Sequence, residues 1–484
     1  MNQTPKRPYD YLRARISFQL RTLSPLHCGD GGTIATAESD WQEAKGSEGH
    51  INTVCRGHRG PYIPASTLRG SLRERCPDPA LLFGTAHGNQ GTAGALRVYD
   101  AFLSHAAAPS GDGYWNAKNK TTLRDGVSID PVTGTAASGK LFAFEIVPEG
   151  SLFEVEIEAD RITQAGLADL LGLIQGWDGT AAAALGKGRS RGWGLVALDG
   201  IPGLGVLNDD DLRAWLKKPA AEPLKPRTTP VPAAAAKAPA AVQTIQLRLE
   251  PSASLLVNEP GRVRPRSDDE HEPALEFMRN AKGAPLVPGS TLRGALRGRA
   301  RRILATIAHQ ACDASPEAAG EAADHLADRL FGTEGRRSAL WIGDANTANH
   351  KVHVQHFNAV DRFTGGVAPG ALYAVTAADC LVLEATATLD LARLPKGDWW
   401  RGLLLFLARD LIEGDLAIGW GKSRGFGAFR AVFAPNPGSR IDSFEGLLAA
   451  LVDRYDGGAA ASWIAALHTE VKQAIQAAED GGKS

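Results

Sequence analysis

Alternating apolar and polar positions occur near the start of the chain and again past its midpoint. Residues 16–21 and residues 245–250 both alternate with a period of two, which predicts strands with one buried face. Residues 141–146 and 153–157 carry further strand patterns in the first half. Together with two helices predicted in each half, these strands favour an α+β fold of ferredoxin-like type.

Four motifs occur twice, in the same order, so the chain is predicted to be a tandem duplication. Residues 218–242 separate the copies and are dense in Pro and Ala, a composition that favours an extended spacer. We therefore predict a first domain over 1–217, a linker over 218–242, and a second domain over 243–484 that ends in a pair of helices. The repeated motifs are PYIPASTLRGSLR and PLVPGSTLRGALR, LFGT in both copies, IDPVTG and VDRFTG, and GKGRSRGWG and GWGKSRGFG.

Composition limits the classes of partner. The chain has 484 residues, 43% hydrophobic and 22% charged, with a formal net charge of -1, so a polyanion would need local basic clusters. No apolar run approaches membrane-spanning length, and the first residues lack the apolar stretch of a signal peptide. Five scattered cysteines form no disulfide framework, which favours a reducing cytoplasm and no membrane partner.

The glycine-rich motif near the end of each copy is the main candidate for ligand binding. Glycine admits positive φ and close approach of a ligand, and successive amides then form a nest for an anion. The spacing is not that of a P-loop, so a nucleotide cofactor is not expected. A tight basic hairpin is the alternative, but two basic copies, with Trp193 or Phe426 to stack on bases, favour RNA. The candidate RNA-binding residues of the loops are Lys187, Arg189, Ser190, Arg191, Lys422, Ser423 and Arg424.

An arginine-rich helix is predicted after each Ile-Pro or Val-Pro dipeptide, with Ser66 or Ser290 placed as its N-cap. In the second copy Arg293, Arg297 and Arg301 fall at i, i+4 and i+8, which places them on one helix face. That face could be an ordinary solvated one, but its position beside a basic loop favours RNA contact. The RNA-binding candidates of the two helices are Ser66, Arg69, Arg73, Ser290, Arg293 and Arg297.

The four motifs in this order resemble the RAMP superfamily of CRISPR-associated proteins, and more closely the backbone subunit of type III effector complexes. The resemblance implies two modified RRM-like domains that bind a CRISPR guide RNA, a complementary target RNA and the other subunits of the complex. It also implies that the hairpin after Asp130 or Asp361 is a thumb that enters the guide–target duplex. Base pairing would then provide the sequence recognition.

The resemblance raises the question of target cleavage, because that family uses an aspartate before the Ile-Pro-Gly-Ser motif with a divalent metal such as Mg²⁺. The first copy has Ile51 and Asn52 near that position, neither of which can act as the acid, whereas the second has Asp268 and Asp269 close by. A metal-holding or nucleophile-orienting role is expected for these two aspartates. A solvated acidic loop is the alternative. Three weaker catalytic candidates are Asp40, Asp130 and Asp361.

Two other roles stay open for these residues. Asp130 and Asp361 could instead cap the Asp-x-x-Thr-Gly turn through an Asx hydrogen bond, which is the role we favour. The whole chain could be a non-catalytic scaffold. A guide-processing nuclease of the same superfamily is a third hypothesis, but the sequence has no recognisable general acid–base set for it. Zinc is not expected, because four residues of the first copy do not have paired-ligand spacing: His27, Cys28, Cys55 and His58.

Overall fold

The chain folds as two α+β domains of the same design, each with a central antiparallel sheet and a smaller side sheet. The computed structural model describes residues 9–42, 49–87, 90–110, 114–130, 133–180, 183–208, 217, 242–259, 273–347, 349–368, 371–380, 382–432 and 459–481. The proposed linker therefore lies outside the described residues, except Val242, which begins a strand.

The central sheet of the first domain is built around the predicted first strand. That strand pairs with two strands from the end of the domain, and alternate residues Ile16, Phe18 and Leu20 are buried against the helices. Its strands are β1 (Tyr11–Thr22), β4 (Arg56–Gly57), β5 (Gly60–Ile63), β8 (Leu96–Val98), β9 (Ala101–His105), β12 (Leu152–Ile162) and β13 (Val196–Leu207). The order β13-β1-β12-β9 is that of a βαββαβ unit, as expected for a ferredoxin-like domain.

A side sheet and a hairpin project from this core. The side sheet has the order β10-β11-β3-β2, and the strands β6 and β7 pair only with each other among the described residues. These strands are β2 (Gly29–Ala35), β3 (His50–Val54), β6 (Gly84–His87), β7 (Gln90–Ala93), β10 (Thr122–Ile129) and β11 (Ala136–Ile146). The helices are α1 (Ala65–Arg75), α2 (Pro79–Phe83) and α3 (Gln164–Gln175).

The second domain repeats the plan with longer helices. Its central sheet has the order β16-β18-β21-β14-β22, with β17 also on β21, and its side sheet has the order β15-β20-β19. The strands are β14 (Val242–Pro251), β15 (Pro273–Glu276), β16 (Leu286–Val287), β17 (Leu340–Ile342), β18 (Ala345–Asn346), β19 (His350–Phe357), β20 (Tyr373–Cys380), β21 (Leu383–Asp390) and β22 (Phe429–Val432). The helices are α4 (Gly289–Cys312), α5 (Pro316–Phe331), α6 (Trp399–Glu413) and α7 (Ala459–Gly481).

The C-terminal segment contributes one described helix where a pair was predicted. Helix α7 packs on α4, α5 and α6 and buries Trp463, Leu467 and Val471 in the core of the second domain. The segment before it, residues 433–458, lies outside the described residues. No described helix is both long enough and apolar enough to cross a bilayer.

The predicted serine caps are wrong, because each helix begins one residue before its serine. The N-cap positions are Pro64 and Pro288, with no side-chain cap bond from the residue itself. In each domain an aspartate that follows a later strand, β8 or β17, accepts the capping hydrogen bond instead. Asp100 Oδ1 accepts from the Ala65 amide at 2.7 Å, and Asp344 Oδ1 accepts from the Gly289 amide at 2.8 Å. The negative charge of the carboxylate also interacts favourably with the positive end of the helix dipole.

Candidate nucleic-acid interface

The two glycine-rich loops have the same backbone. Four glycines in each loop have positive φ, between 72° and 85°. A methyl group on Gly194 would lie 1.8 Å from the Leu185 carbonyl oxygen, and one on Gly427 would lie 1.8 Å from the Ile418 carbonyl oxygen. Any other residue at these two positions would need backbone movement, so the glycines set the loop shape. The positive-φ glycines are Gly186, Gly188, Gly192, Gly194, Gly419, Gly421, Gly425 and Gly427.

The loop's own hydrogen bonds use the amides in the second half of the predicted anion nest, and a nest over the earlier amides stays a prediction. The Arg191 amide donates to the Gly188 carbonyl at 2.8 Å, and the Arg424 amide donates to the Gly421 carbonyl at 2.7 Å. The next three amides of each loop also donate to backbone carbonyls. These donors are consumed in holding a 3-10 turn, at Arg189–Arg191 and at Lys422–Arg424. The amides of residues 191–194 and 424–427 are therefore not available to an anion.

The predicted stacking role of Trp193 and Phe426 is also wrong. Each ring is only 4% exposed. Trp193 packs edge-on against Phe144 of β11 at 5.7 Å between ring centroids, and Phe426 lies 6.0 Å from the ring centroid of Phe357 of β19. The aromatic residue of the loop therefore anchors it to the side sheet of its domain, and neither ring is available to a base.

In the first domain the loop arginines are largely used within the protein. Arg189 ion-pairs with Glu74 at 3.4 Å and lies 5.8 Å from the ring centroid of Trp341 in the second domain. Arg191 lies between 5.4 and 5.7 Å from three ring centroids, those of Phe142, Phe144 and Trp193. Burial lowers the pKa of both arginines. Of the three basic residues of this loop, Lys187 is the exposed one.

In the second domain the equivalent loop is exposed. Lys422, Ser423 and Arg424 all face solvent on the 3-10 turn. Arg424 donates to the Tyr373 hydroxyl at 2.6 Å and lies 4.9 Å from the ring centroid of Trp420. The aromatic contacts fix the direction of the guanidinium but leave it accessible, which suits a planar group that pairs with phosphate.

An open groove of about 570 Å³ runs between α1 and the loop of the first domain. The structure brings Ser66 and Lys187 together along it, as the sequence predicts, and adds Thr53 and Arg337, which the sequence analysis missed. Arg337 belongs to the second domain, and no pattern in one copy could have placed it there. Hydroxyl and basic side chains on facing walls suit a phosphate backbone.

The helix arginines contact the protein more than the solvent. Arg69 donates to the Phe83 carbonyl oxygen at 2.6 Å, and Arg293 donates to the equivalent carbonyl of Phe331. Burial lowers the pKa of Arg293 to about 10. In both copies the accepting carbonyl is that of the phenylalanine in the repeated Leu-Phe-Gly motif.

The remaining members of the predicted stripe face α5. Arg297 ion-pairs with Asp328 and Arg301 with Asp324, so the stripe joins two helices. Arg73, Ser66 and Ser290 are exposed and stay candidates for RNA contact.

Both Asp-x-x-Thr-Gly turns are closed by their aspartates, as favoured. Asp130 Oδ1 accepts from the Thr133 amide at 2.9 Å, and Asp361 Oδ1 accepts from the Thr364 amide at 2.9 Å. These backbone bonds lower the pKa of Asp361. The turns lie at the tips of β10–β11 and β19–β20, where apolar side chains are exposed, including Phe363, which is 100% exposed. Exposed apolar groups at such tips mark contact surfaces.

The candidate acids fall in different surroundings. Asp268 and Asp269 lie outside the described residues. In the first copy, Ile51 is buried and the Asn52 amide donates to the Ala143 carbonyl at 2.9 Å, so both hold strand β3 in place. The Asn119 amide and Lys118 lower the pKa of Asp40, which keeps it ionised. Throughout the described residues, no three His, Cys, Asp or Glu side chains are grouped to hold a metal ion.

The four residues weighed for zinc are accounted for separately. His27 is 2% exposed, and its Nδ1 donates to the Glu145 carbonyl at 2.7 Å, because that oxygen can only accept. Burial lowers the pKa of His27 and raises the pKa of Cys28 to about 12. The Cys55 amide donates to the Cys28 carbonyl, and His58 packs against Phe102. His27 also lines the groove of the first domain, a position that the sequence analysis did not predict.

Comparison with known proteins agrees with the duplicated fold. The family described as the RAMP superfamily matches this chain over two regions, residues 19–197 and 270–430. The two regions correspond to the two domains and include all four repeated motifs. No curated protein matches the chain.

Proposed function

The chain belongs to the RAMP superfamily, and from this premise we propose that it is a guide-RNA-binding backbone subunit of a type III CRISPR effector complex. The general role, that of a CRISPR-associated RNA-binding protein, comes with the family. The observation that carries the finer proposal is the exposed loop of the second domain. It holds Lys422, Ser423 and Arg424 on a turn fixed by glycines and aromatic rings.

The guide would follow the loop and helix faces of both domains. Phosphates would contact Lys422 and Arg424 in the second domain, and Lys187 and Ser66 along the groove of the first. Contacts of this kind set register and affinity without reading sequence. The two hairpin tips, with their exposed apolar residues, would contact the guide–target duplex. Besides the guide and target RNAs, the partners would be the other subunits of the type III complex.

We further propose metal-dependent cleavage of target RNA by the second domain. Asp268 or Asp269 would hold Mg²⁺, a hard cation that prefers carboxylate oxygens and acts as a Lewis acid on a phosphate. The target's 2′-hydroxyl would attack the adjacent phosphorus, which forms a 2′,3′-cyclic phosphate and releases the 5′-oxygen. A domain that holds the nucleotide splayed favours the in-line geometry that this attack needs.

The residues at the expected acid position of the first domain support the alternative proposal, that the chain is a non-catalytic scaffold. Where the family's acid is expected, Ile51 is fully buried and Asn52 is bonded to a main-chain carbonyl. Ile51 has no atom that could bind a metal, and the neutral amide of Asn52 offers neither the charged oxygen nor the base of a carboxylate. The chain would then bind guide and target through both domains while another subunit cuts.

One experiment separates these proposals. The full complex is assembled with guide RNA and end-labelled complementary RNA, with and without EDTA, using wild-type chain, Asp268→Ala, Asp269→Ala and the double variant. We expect EDTA or the double variant to abolish cleavage while target binding persists, because a metal-holding carboxylate acts mainly in the transition state. Asn52→Ala is the matched control and should cut normally. Cleavage at the wild-type rate by the double variant would move the site elsewhere, and a wild-type complex that never cuts would establish the scaffold.

A further inference from the structure

The groove of the first domain is lined by a histidine whose two ring nitrogens have fixed hydrogen-bonding roles. His27 Nδ1 donates to the Glu145 carbonyl oxygen at 2.7 Å, and among the described residues that is the only hydrogen bond of the ring. Burial lowers the pKa of His27, and the positive charge of Lys187 acts in the same direction, so the ring is neutral at pH 7. A neutral imidazole carries one N–H, and since Nδ1 holds it, Nε2 can only accept a hydrogen bond.

Gly29 leaves a position open beside this nitrogen. A methyl group on Gly29 would lie 2.7 Å from His27 Nε2 and 3.5 Å from both Cδ2 and Cε1, which places it on the lone-pair side of the ring. The backbone does not require glycine here, because Gly29 is not among the glycines with positive φ. The residue is exposed and lines the groove. A hydroxyl oxygen that enters from the groove can therefore lie at hydrogen-bonding distance from Nε2.

The chemistry around Nε2 suits the hydroxyl of a ribose, and the chemistry beside it suits the phosphate. A phosphate oxygen only accepts, so it cannot bond to a nitrogen that also only accepts. Lys187 supplies the donor that a phosphate needs, and its amide donates to the His27 carbonyl oxygen at 2.8 Å, which holds the two residues side by side. Both line the same groove. One nucleotide of RNA presents a matching pair, a 2′-hydroxyl that can donate and a phosphate that accepts.

The second domain has no such pair at the equivalent position. Leu256 is the equivalent of His27, because the Trp420 amide donates to its carbonyl oxygen at 2.7 Å, as the Lys187 amide does to that of His27. Leu256 is fully buried and has no polar side-chain atom, and Trp420 stands in place of the lysine. A hydroxyl acceptor of this kind therefore belongs to the first domain, although the loop backbones of the two domains are alike.

We propose that His27 Nε2 accepts a hydrogen bond from a ribose 2′-hydroxyl in the groove, so that the first domain distinguishes RNA from DNA. This role of His27 rests on the RNA binding proposed above and names the group that is recognised. Phosphate contacts position a strand without separating the two nucleic acids, whereas the 2′-hydroxyl is the group that DNA lacks. Gly29 gives the hydroxyl room, and Lys187 holds the neighbouring phosphate.

The test compares two single strands of one sequence, an end-labelled RNA and the same strand made entirely of 2′-fluoro nucleotides. Fluorine keeps the sugar pucker of RNA but cannot donate a hydrogen bond, so the ratio of the two affinities reports the lost donor. Binding to the full chain, purified free of RNA, is measured by fluorescence polarisation. We expect the preference of the wild-type chain for the hydroxyl strand to exceed that of His27→Leu by about three- to tenfold, as for one net hydrogen bond.

Three variants make the outcome specific. His27→Leu introduces the residue of the second domain and removes the acceptor. Gly29→Ala keeps the histidine but fills the position beside Nε2, so it should lose the same part of the preference. Lys187→Ala is the matched control, because loss of a phosphate contact should weaken binding to both strands by the same factor and leave their ratio unchanged.

The role of His27 is overturned if the wild-type chain binds both strands equally. It is also overturned if His27→Leu and Gly29→Ala chains, correctly folded as judged by circular dichroism and thermal unfolding, keep the wild-type preference. An equal loss of affinity for both strands in these two variants would overturn it as well, since His27 would then only support the groove. Failure of the wild-type chain to bind either strand would instead overturn the proposed RNA binding, and the recognition of the hydroxyl with it.

Discussion

At the scale of the residue, equivalent basic side chains make different contacts in the two copies. Arg189 is drawn into the domain contact by Glu74, whereas the equivalent Lys422 faces solvent. Arg191 and Arg424 both lie against aromatic rings, but only Arg424 is exposed. The difference follows from what lies opposite each loop, since the loop backbones are alike.

We predict that Lys422→Ala with Arg424→Ala weakens guide-RNA binding regardless of guide sequence. Each lost phosphate contact should lower the slope of log K against log salt by about 1, because fewer counterions are released. Binding measured over a salt series checks both effects. Arg189→Ala with Arg191→Ala is the comparison, and it should change the thermal stability of the chain more than the salt slope. An unchanged slope in the Lys422/Arg424 variant would remove that loop from the RNA interface.

We also predict that Asp344→Ala destabilises the chain more than Asp100→Ala. Both lose a helix N-cap, which costs about 1 kcal/mol, but Asp344 also pairs with the largely buried Arg124. Loss of a hydrogen bond to a charged group adds about 2 kcal/mol. Urea unfolding of both variants measures the difference, with Asp100→Ala as the matched control. Equal losses would mean that the Arg124 contact contributes nothing to stability.

At the scale of the element, each glycine loop is a rigid connection between a helix and the strand that follows it, α3 and β13 in the first domain and α6 and β22 in the second. Its last four amides are bonded within the protein, and its aromatic residue is buried against neighbouring rings. Rigidity of this kind lets one loop serve as a domain contact and the other as an exposed basic turn.

We predict that Gly427→Ala costs far more stability than Gly425→Ala. Both have positive φ, which costs an alanine about 1–2 kcal/mol, but only at Gly427 would the methyl group meet backbone, at 1.8 Å from the Ile418 carbonyl oxygen. Gly425→Ala should therefore show the strain alone. Thermal unfolding of the pair checks this, and similar melting temperatures would contradict the close contact.

At the scale of the whole molecule, the two domains form one unit through Glu74 and the surrounding arginines. Burial by itself would raise the pKa of Glu74, but the attraction of Arg189, Arg337 and Arg393 lowers it. A carboxyl group with a lowered folded-state pKa stabilises the association above the usual pKa of glutamate. That contribution is lost as the pH falls through the lowered value.

We predict that limited proteolysis cuts first between residues 217 and 242 and that the two fragments stay associated at neutral pH. Size-exclusion chromatography of the nicked chain should show one peak, because the contact between the domains outlasts the covalent link. Glu74→Ala, or a pH below the lowered pKa of Glu74, should separate the fragments, whereas Glu74→Gln tests the charge at nearly constant shape. Separation of the wild-type fragments at pH 7 would mean that the contact is too weak to hold them.

The sequence by itself determined the duplication, the α+β class and the backbone of the glycine loops. These depend on local rules: a period of two along strands, glycine where φ is positive, and aspartate where an Asx turn closes. The structure confirms that Asp130 and Asp361 close this turn. The sequence could predict it because the amides that donate to these aspartates lie within four residues along the chain.

Only the tertiary structure decided which candidate residues face a ligand. Arg293 and Arg297 are used by α5, Trp193 and Phe426 are buried, and the helix caps come from Asp100 and Asp344 instead of the serines. Each outcome depends on a partner far away in the chain, which periodicity cannot supply. The two loops, nearly identical in sequence, differ in exposure because one lies against the second domain and the other does not.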